Sequence, residues 1–428
     1  MRYALVNPYW DFEGSIYFGC SEPHLPLELG YAKHLLEEAG HEVLFSDAHL
    51  ENLSAEDVVK RLRRFAPDFT VIPTAPTYLF WRCAPPELRI PQLWFSALRP
   101  SGGVLVAIGP HGSTTPRPTL HKLQCDLVVM GEPEELLPKL GSSWADFESV
   151  CYRAETGDIV TGEPHYSDMQ KLPALTWPVD YIGKHRHHHH RFEAISDRPG
   201  AEVEASRGCP YHCTFCAKDN FRNEYRRRPT AVVLEEVDAL IAQGVEYIYF
   251  IDEIFIPQRD LLRALAAREV KIGVQTRIDL WNQEAVDMLA AAHCVSIEAG
   301  VESISESGRA ALDKKCKLST DELSERLIYA KTQVPFVQAN LIAMENDSLE
   351  EVEEWRHSLH AKGVWANKPV PLFPYPGSPD YTRRWGIPDD VAWERAHEYY
   401  LRRTTTFSDI QNQNPAELVQ LEVNAGSK

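Results

Sequence analysis

The sequence contains no apolar run approaching the roughly 20 residues that a membrane-spanning helix needs. It also lacks a positive excess, since 44 lysines and arginines face 62 aspartates and glutamates, a net charge of −18. The first absence points to a soluble chain. The second argues against tracking a nucleic-acid backbone, because that affinity rests on cations neutralising phosphates. The nine cysteines are odd in number and show no disulfide-like spacing, and no secretory leader pattern precedes them. A reducing, cytoplasmic setting is therefore expected.

What is present is a tight set of three cysteines, Cys209, Cys213 and Cys216, in the run GCPYHCTFC. A four-iron cluster usually takes four thiolates, so three with no obvious fourth leave one iron open to a small molecule. A structural zinc site would need closed tetrahedral coordination and a second ligand pair; His212 and Cys294 can be conscripted, but no pair appears. Cys20, Cys83, Cys125, Cys151 and Cys316 read as free thiols, since small buried cysteine is common. The short basic run Arg222, Arg226, Arg227, Arg228 reads as a solvated loop.

The first 140 residues alternate β-rich runs with helical patterns, which predicts a doubly wound parallel sheet of the Rossmann-like or flavodoxin-like kind. Strands are expected at 2–6, 42–46, 69–72, 104–108 and 127–130, with a helix over 27–39 and a second helix capped by Ser54. Such sheets bind ligands at the carboxyl ends of their strands. From 144 to 200 proline, glycine, histidine and charge dominate, as in a linker, and the tract His185–His190 reads as part of it. A second series of strand and helix units follows, with strands expected at 201–206, 245–251, 271–276, 295–299, 336–343 and 365–372 and a helix over 230–242. Six parallel strands suggest a partial (β/α)6 barrel with its chemistry at the carboxyl ends. The expected organisation is thus 1–143, 144–200 as linker, 201–375 as barrel and 376–428 as a helical extension. That extension is rich in aromatic residues and arginine, including Trp385, Trp393, Tyr399, Tyr400, Arg402 and Arg403. It either covers the barrel mouth or packs as a terminal helix.

With its CxxxCxxC spacing and Phe215 before the last cysteine, the chain resembles the radical S-adenosylmethionine (SAM) superfamily. The resemblance implies a 4Fe–4S cluster on Cys209, Cys213 and Cys216, with SAM on the open iron and reductive cleavage to a 5′-deoxyadenosyl radical. The loops after the first five strands resemble the cobalamin-binding domain that precedes one branch of these enzymes. Pro26, Leu27, Leu29 and Tyr31 match its P-L-x-L-x-Y run, and Gly109, Pro110 and His111 its G-G/P-H loop. The branch implies cobalamin contacts at Thr77, Tyr78, Trp81, Gly109, Pro110, His111, Gly112, Gly131 and Glu132. Gly109 and Gly112 are expected to let backbone approach the cofactor. Asp47, His49 and Asn52 are similar to a D-x-H-x-x-G cobalt-ligand signature but follow the wrong strand, so Asp47 is expected to contact a polar group and His49 to be exposed.

FIDEIF matches the branch's F-x-D-D-x-F run, VQTRID its strand-end arginine, GVES its glutamate and serine, and FPYPGSPDY its closing segment. These imply SAM contacts at Phe215, Asp252, Glu253, Arg277, Glu302 and Ser303. Arg277 can pair with the SAM carboxylate and Glu302 can accept from its ribose or ammonium. Asp252 and Glu253 can instead join an ion pair at the barrel rim. The resemblance implies a cobalamin-dependent radical SAM enzyme, foremost a methyltransferase that moves a methyl group through methylcobalamin to an unactivated carbon of a small metabolite. It further implies an external electron donor of flavodoxin or ferredoxin type. Ring formation, ring contraction or rearrangement is the alternative. A tRNA methylthiotransferase and a non-catalytic cobalamin sensor fit less well, the former because of the acidic charge.

Overall fold

Seven strands order the amino-terminal region: β1 (Arg2–Asn7), β2 (Glu42–Asp47), β3 (Phe69–Pro73), β4 (Val104–Ile108), β5 (Leu127–Val129), β6 (Val150–Ala154) and β7 (Gly157–Thr161). These elements come from a computed structural model that describes residues 1–11, 23–77, 85, 86, 88–141, 143–185, 199–218, 222 and 224–403. The strand order is β2-β1-β3-β4-β5-β6-β7. The first five strands run parallel, and β6 and β7 close the edge antiparallel. Alternation along β1 explains the double winding. Ala4 and Val6 join one buried cluster with Leu98, Ala107 and Val128, while Tyr3 and Leu5 join another with Leu29, Val71 and Val106. Both faces are therefore apolar and both are covered. The helix Ala55–Phe65 starts at Ser54 in a capping box with Asp57, whose backbone N–H donates to the Ser54 hydroxyl.

Residues 150–161 fall in the stretch expected to be a linker, yet they form β6 and β7. Val150, Cys151 and Tyr152 pack inward against β5, and Glu155–Gly157 turns the chain back. A hairpin edge carries polar residues on its outer face, which dilutes the apolar signal that marked the other strands.

The second series begins with β8 (Gly200–Val203) and a short antiparallel pair, β9 (Ser206–Arg207) with β10 (Arg226–Arg227). It continues through β11 (Tyr247–Phe250), β12 (Lys271–Thr276), β13 (Cys294–Glu302), β14 (Phe336–Ala343), β15 (Trp365–Ala366) and β16 (Val370–Pro371). The order β15-β14-β13-β12-β11-β8 is parallel throughout, with β16 pairing β14, as a six-stranded partial barrel requires. The helices Thr230–Ala242, Gln283–Ala291, Thr320–Gln333 and Leu349–Ala361 alternate with these strands. Asn282, Ser319 and Ser348 cap three of them at their amino ends.

The chain divides into two compact units that are not contiguous in sequence. The first comprises Met1–Leu175, Cys216–Asn223 and Pro374–Leu401, and the second Thr176–Phe215, Glu224–Phe373 and Arg402–Lys428. In the first unit the helix Ala392–Arg403 sets Trp393 against His111, ring centroids 4.3 Å apart, and the indole N–H donates to Thr115 Oγ1 at 2.8 Å. This part of the carboxyl-terminal stretch packs as a helix in the first unit. No helix among the described residues is long and apolar enough to cross a membrane.

Candidate active site

In the second unit, the turn that delivers the cysteine loop is fixed by the two acids after β11. Asp252 accepts the Ala205 N–H at 2.8 Å and the Ser206 hydroxyl, and Glu253 accepts the Gly208 N–H at 2.8 Å. Burial pushes the Asp252 pKa up to about 8, partly opposed by those hydrogen bonds, so it carries a proton for much of the time at neutral pH. Asp252 and Glu253 thus brace the backbone that leads into Cys209. None of Cys209, Cys213 and Cys216 is in a disulfide, and all three are partly exposed, as is Phe215.

Arg277 leaves the carboxyl end of β12 and is 6% exposed. Its Nε and Nη2 donate to the two Asp279 oxygens at 3.0 and 2.6 Å, and its guanidinium carbon sits 3.9 Å from the centroid of the Tyr211 ring. Its Nη1 is buried and has no hydrogen-bond partner among the described residues. Burial pushes the Asp279 carboxyl up, but Arg277 outweighs it and holds the group below the usual carboxylate range. The Arg326 guanidinium secures the same loop by donating to the Asp279 carbonyl at 2.9 Å.

Glu302 ends β13 with φ 68, after a register shift in its pairing with β14. A non-glycine residue there costs roughly 1–2 kcal/mol, and such strain gathers at functional sites. Its carboxylate takes the Lys314 ammonium at 2.8 Å, with Lys314 itself buried. The Glu302 carboxylate folds back over Gly300, where a Cβ would meet Oε1 at 2.4 Å and displace it. Burial raises the Cys213 thiol pKa, while Lys314 and Arg277 lower it and Glu302 raises it, so these charges act on one sulfur. Ser303 is spent elsewhere, donating to Asp347 Oδ1 at 2.8 Å in the network that caps the helix Glu306–Ala311. Tyr211, Asp279 and Lys314 were not singled out in the sequence; Lys314 lies in the charged run DKKCK, which carries no motif.

In the first unit the loops after β1, β3, β4 and β5 gather a different set. Thr77 donates to both Glu28 oxygens at 3.0 and 2.9 Å. Burial pushes the Glu28 pKa up to about 8, so Glu28 is largely protonated at neutral pH. Glu132 accepts the Ser167 N–H at 2.8 Å and lies 3.3 Å from Arg222 Nε, with Glu132 and Arg222 both fully buried. Arg222 and Arg228 were expected in a solvated loop. Both are instead buried because acids neutralise them, Arg222 beside the distant Glu132 and Arg228 beside Glu236, 8 residues on, at 2.7 Å.

Glycines are needed here for packing within the unit. Gly109 has φ 114, a Cβ on Gly112 would meet Val128 at 2.4 Å, and one on Gly131 would meet the His165 carbonyl at 2.3 Å. His111 Nε2 lies 2.8 Å from the Pro85 carbonyl, which can only accept, so in the neutral ring Nδ1 accepts from the Thr74 hydroxyl at 2.9 Å. Burial lowers the His111 pKa to about 4, which keeps the ring neutral. His111 thus brings no unengaged ring nitrogen to a cofactor.

Asp47 meets a polar strand-end group as expected, accepting from Asn7 Nδ2 at 2.9 Å. His49 is buried against Tyr9, ring centroids 5.2 Å apart, rather than exposed, because the Asp47 carboxylate draws its backbone inward by accepting the His49 N–H. His185, expected in a solvated linker, is buried with Nδ1 2.6 Å from the Gly200 carbonyl. Tyr78, Trp81, Cys20, Cys83 and His187–His190 lie outside the described residues, as does the side chain of Tyr400.

The Radical SAM superfamily domain matches residues 203–359. An uncharacterized methyltransferase of Pyrococcus horikoshii is 25% identical over 71% of this chain and 66% of its own length. An anaerobic magnesium-protoporphyrin IX monomethyl ester cyclase of Cereibacter sphaeroides is 26% identical over 87% of this chain and 63% of its own. The chain therefore spans just under two thirds of these curated relatives. Among solved structures, the radical SAM methyltransferase TsrM of Kitasatospora setae, with cobalamin and a [4Fe-4S] cluster bound, superposes with TM-score 0.70 at 18% identity, covering 90% of this chain and 78% of that one. The cobalamin-dependent radical enzyme OxsB with aqua-cobalamin bound gives 0.66 at 18% identity, covering 94% and 61%. This chain carries a radical SAM domain, and its fold is that of the cobalamin-dependent radical SAM enzymes.

Proposed function

We propose that this protein uses a 4Fe–4S cluster, SAM and cobalamin to methylate an unactivated carbon of a small molecule. The observation that carries the reading is the group around Cys213 in the second unit, where one thiol of the CxxxCxxC run, outside any disulfide, meets the charges of two buried cations and a strained carboxylate at the carboxyl ends of parallel strands. When bound, the cluster would supply the electron that cleaves SAM to a deoxyadenosyl radical, and cobalamin would carry the methyl group to the substrate radical. The residues fit the cluster at Cys213, where burial raises the thiol pKa but Lys314 and Arg277 oppose it and favour the thiolate that ligates iron. Arg277 offers a donor edge to the SAM carboxylate, and the bent Glu302 offers an acceptor to its ribose or ammonium.

For cobalamin, the first unit would offer loop backbone at Gly109 and Pro110, while Gly112 and Gly131 serve packing within the unit. Thr77 and Glu132 stiffen those loops from inside. The reading predicts no cobalt ligand from His111. The electron for the cluster would come from a flavodoxin or ferredoxin type donor.

Anaerobic incubation with SAM and reductant is expected to release 5′-deoxyadenosine, and with substrate also S-adenosylhomocysteine. Product without a new methyl group would sink the methylation half of the reading. A second reading, radical ring formation, is favoured by the cyclase relative aligned over 87% of the chain. It predicts deoxyadenosine without S-adenosylhomocysteine.

A further inference from the structure

Arg277 is 6% exposed and three things constrain its guanidinium. Asp279 takes Nε and Nη2 as a two-point fork, the geometry in which arginine meets a carboxylate most strongly. Tyr211 covers one face at 3.9 Å. Arg326 pins the loop that carries Asp279. The fork leaves one edge, and the Nη1 atom on that edge is buried without a partner among the described residues. A buried donor with no acceptor is costly, and such an atom in a native structure calls for an explanation. Tyr211 lies between Cys209 and Cys213 in the loop, and the Arg277 charge acts on the Cys213 sulfur.

We infer that Tyr211 and Asp279 are positioning residues that clamp Arg277 so that its Nη1 edge takes the carboxylate of SAM at the cluster. The inference rests on the SAM reading above and adds two residues that the sequence motifs did not mark. A guanidinium held on one edge and one face has little rotamer freedom left to lose, so an incoming carboxylate meets a pre-oriented donor. The phenol hydroxyl has no part in this; the ring face does the holding. Phenylalanine at 211 should therefore serve as well as tyrosine, and leucine should not.

The test titrates SAM into anaerobically reconstituted full-length protein and follows the EPR signal of the reduced cluster, with iron content measured on each sample. Wild type and Tyr211→Phe should show the same SAM-dependent change within about twofold. Tyr211→Leu should need about tenfold more SAM, as expected for weakening one charge-assisted hydrogen bond. Asp279→Asn, which lies outside the cysteine loop, should show the same loss and carries the test if Tyr211→Leu fails to take up iron. Iron-loaded variants that bind SAM like wild type overturn the clamp. So does a Tyr211→Phe protein as weak as Tyr211→Leu. Wild-type protein that loads iron but never responds to SAM overturns the cofactor reading itself.

Discussion

In the first unit, His111 engages both ring nitrogens, Thr77 serves Glu28, and Glu132 serves Ser167 and Arg222. In the second, Arg277 keeps one edge without a partner among the described residues and Glu302 sits in a left-handed backbone. Both sets lie at the carboxyl ends of parallel strands, yet they treat polar groups in opposite ways. Where side chains satisfy one another, a loop offers backbone and contour, and recognition rests on fit. Where one donor edge is left over and a carboxylate is bent into place, recognition rests on directed polar contacts, and binding relieves a cost already present.

The most severe way to separate the two is Cys213→Ala. It should abolish deoxyadenosine formation and lower iron content while leaving cobalamin absorbance intact, since the charges that act on that thiol, Lys314, Glu302 and Arg277, belong to the second unit. Loss of both would show the contrast to be false. Next in size is Arg222→Met, which strands Glu132 in a buried site and should cost about 3–5 kcal/mol. Thermal unfolding of the apoprotein should fall by several degrees, and cobalamin retention should suffer before SAM cleavage does.

A third measurement uses pH. The Glu28 pKa of about 8 is raised on folding, so the folded protein binds the extra proton between the ordinary carboxylate range and about 8. Its contribution is present at acid pH and is lost as pH rises toward 8. The His111 pKa of about 4 is lowered on folding, so its contribution is lost as pH falls from the ordinary histidine range toward 4. Between about 6.5 and 8 only the Glu28 slope operates of these two. Asp252, also raised to about 8, adds a slope of the same sign, so Glu28→Gln should reduce the total slope in chemical denaturation at each pH, and an unchanged slope would remove Glu28 as a source. The smallest expected effect is a control on the first unit. Ser54→Ala, at a helix cap remote from the loops, should cost about 1 kcal/mol, and both cofactor signals should survive it.

Much of this was legible in the sequence wherever a single run of residues carried the information. Val104–Ile108, Lys271–Thr276 and Phe336–Ala343 are β-rich runs between breakers, and the structure has them at those bounds. Thr230–Ala242 likewise shows a helical stripe that needs no partner to be seen. What was illegible depended on distant pairing. Arg222 reads as solvated until Glu132, 90 residues earlier, is placed beside it. Lys314 has no motif; it matters because Glu302, bent by the bulge, reaches it. Asp252 and Glu253 lay where their motif put them, but their bonds to the Ala205 and Gly208 backbone depend on strand neighbours, which spacing alone does not show.

Trp393 has a consequence for how the chain comes into being. Synthesis runs from the amino end, and domains generally fold as units as they emerge. The first unit begins at β1 but takes its last pieces from 216–223 and 374–401. A nascent chain halted before Trp393 would leave the His111 ring without its cover and Thr115 without the indole N–H. The first unit is therefore completed only after most of the second has been made.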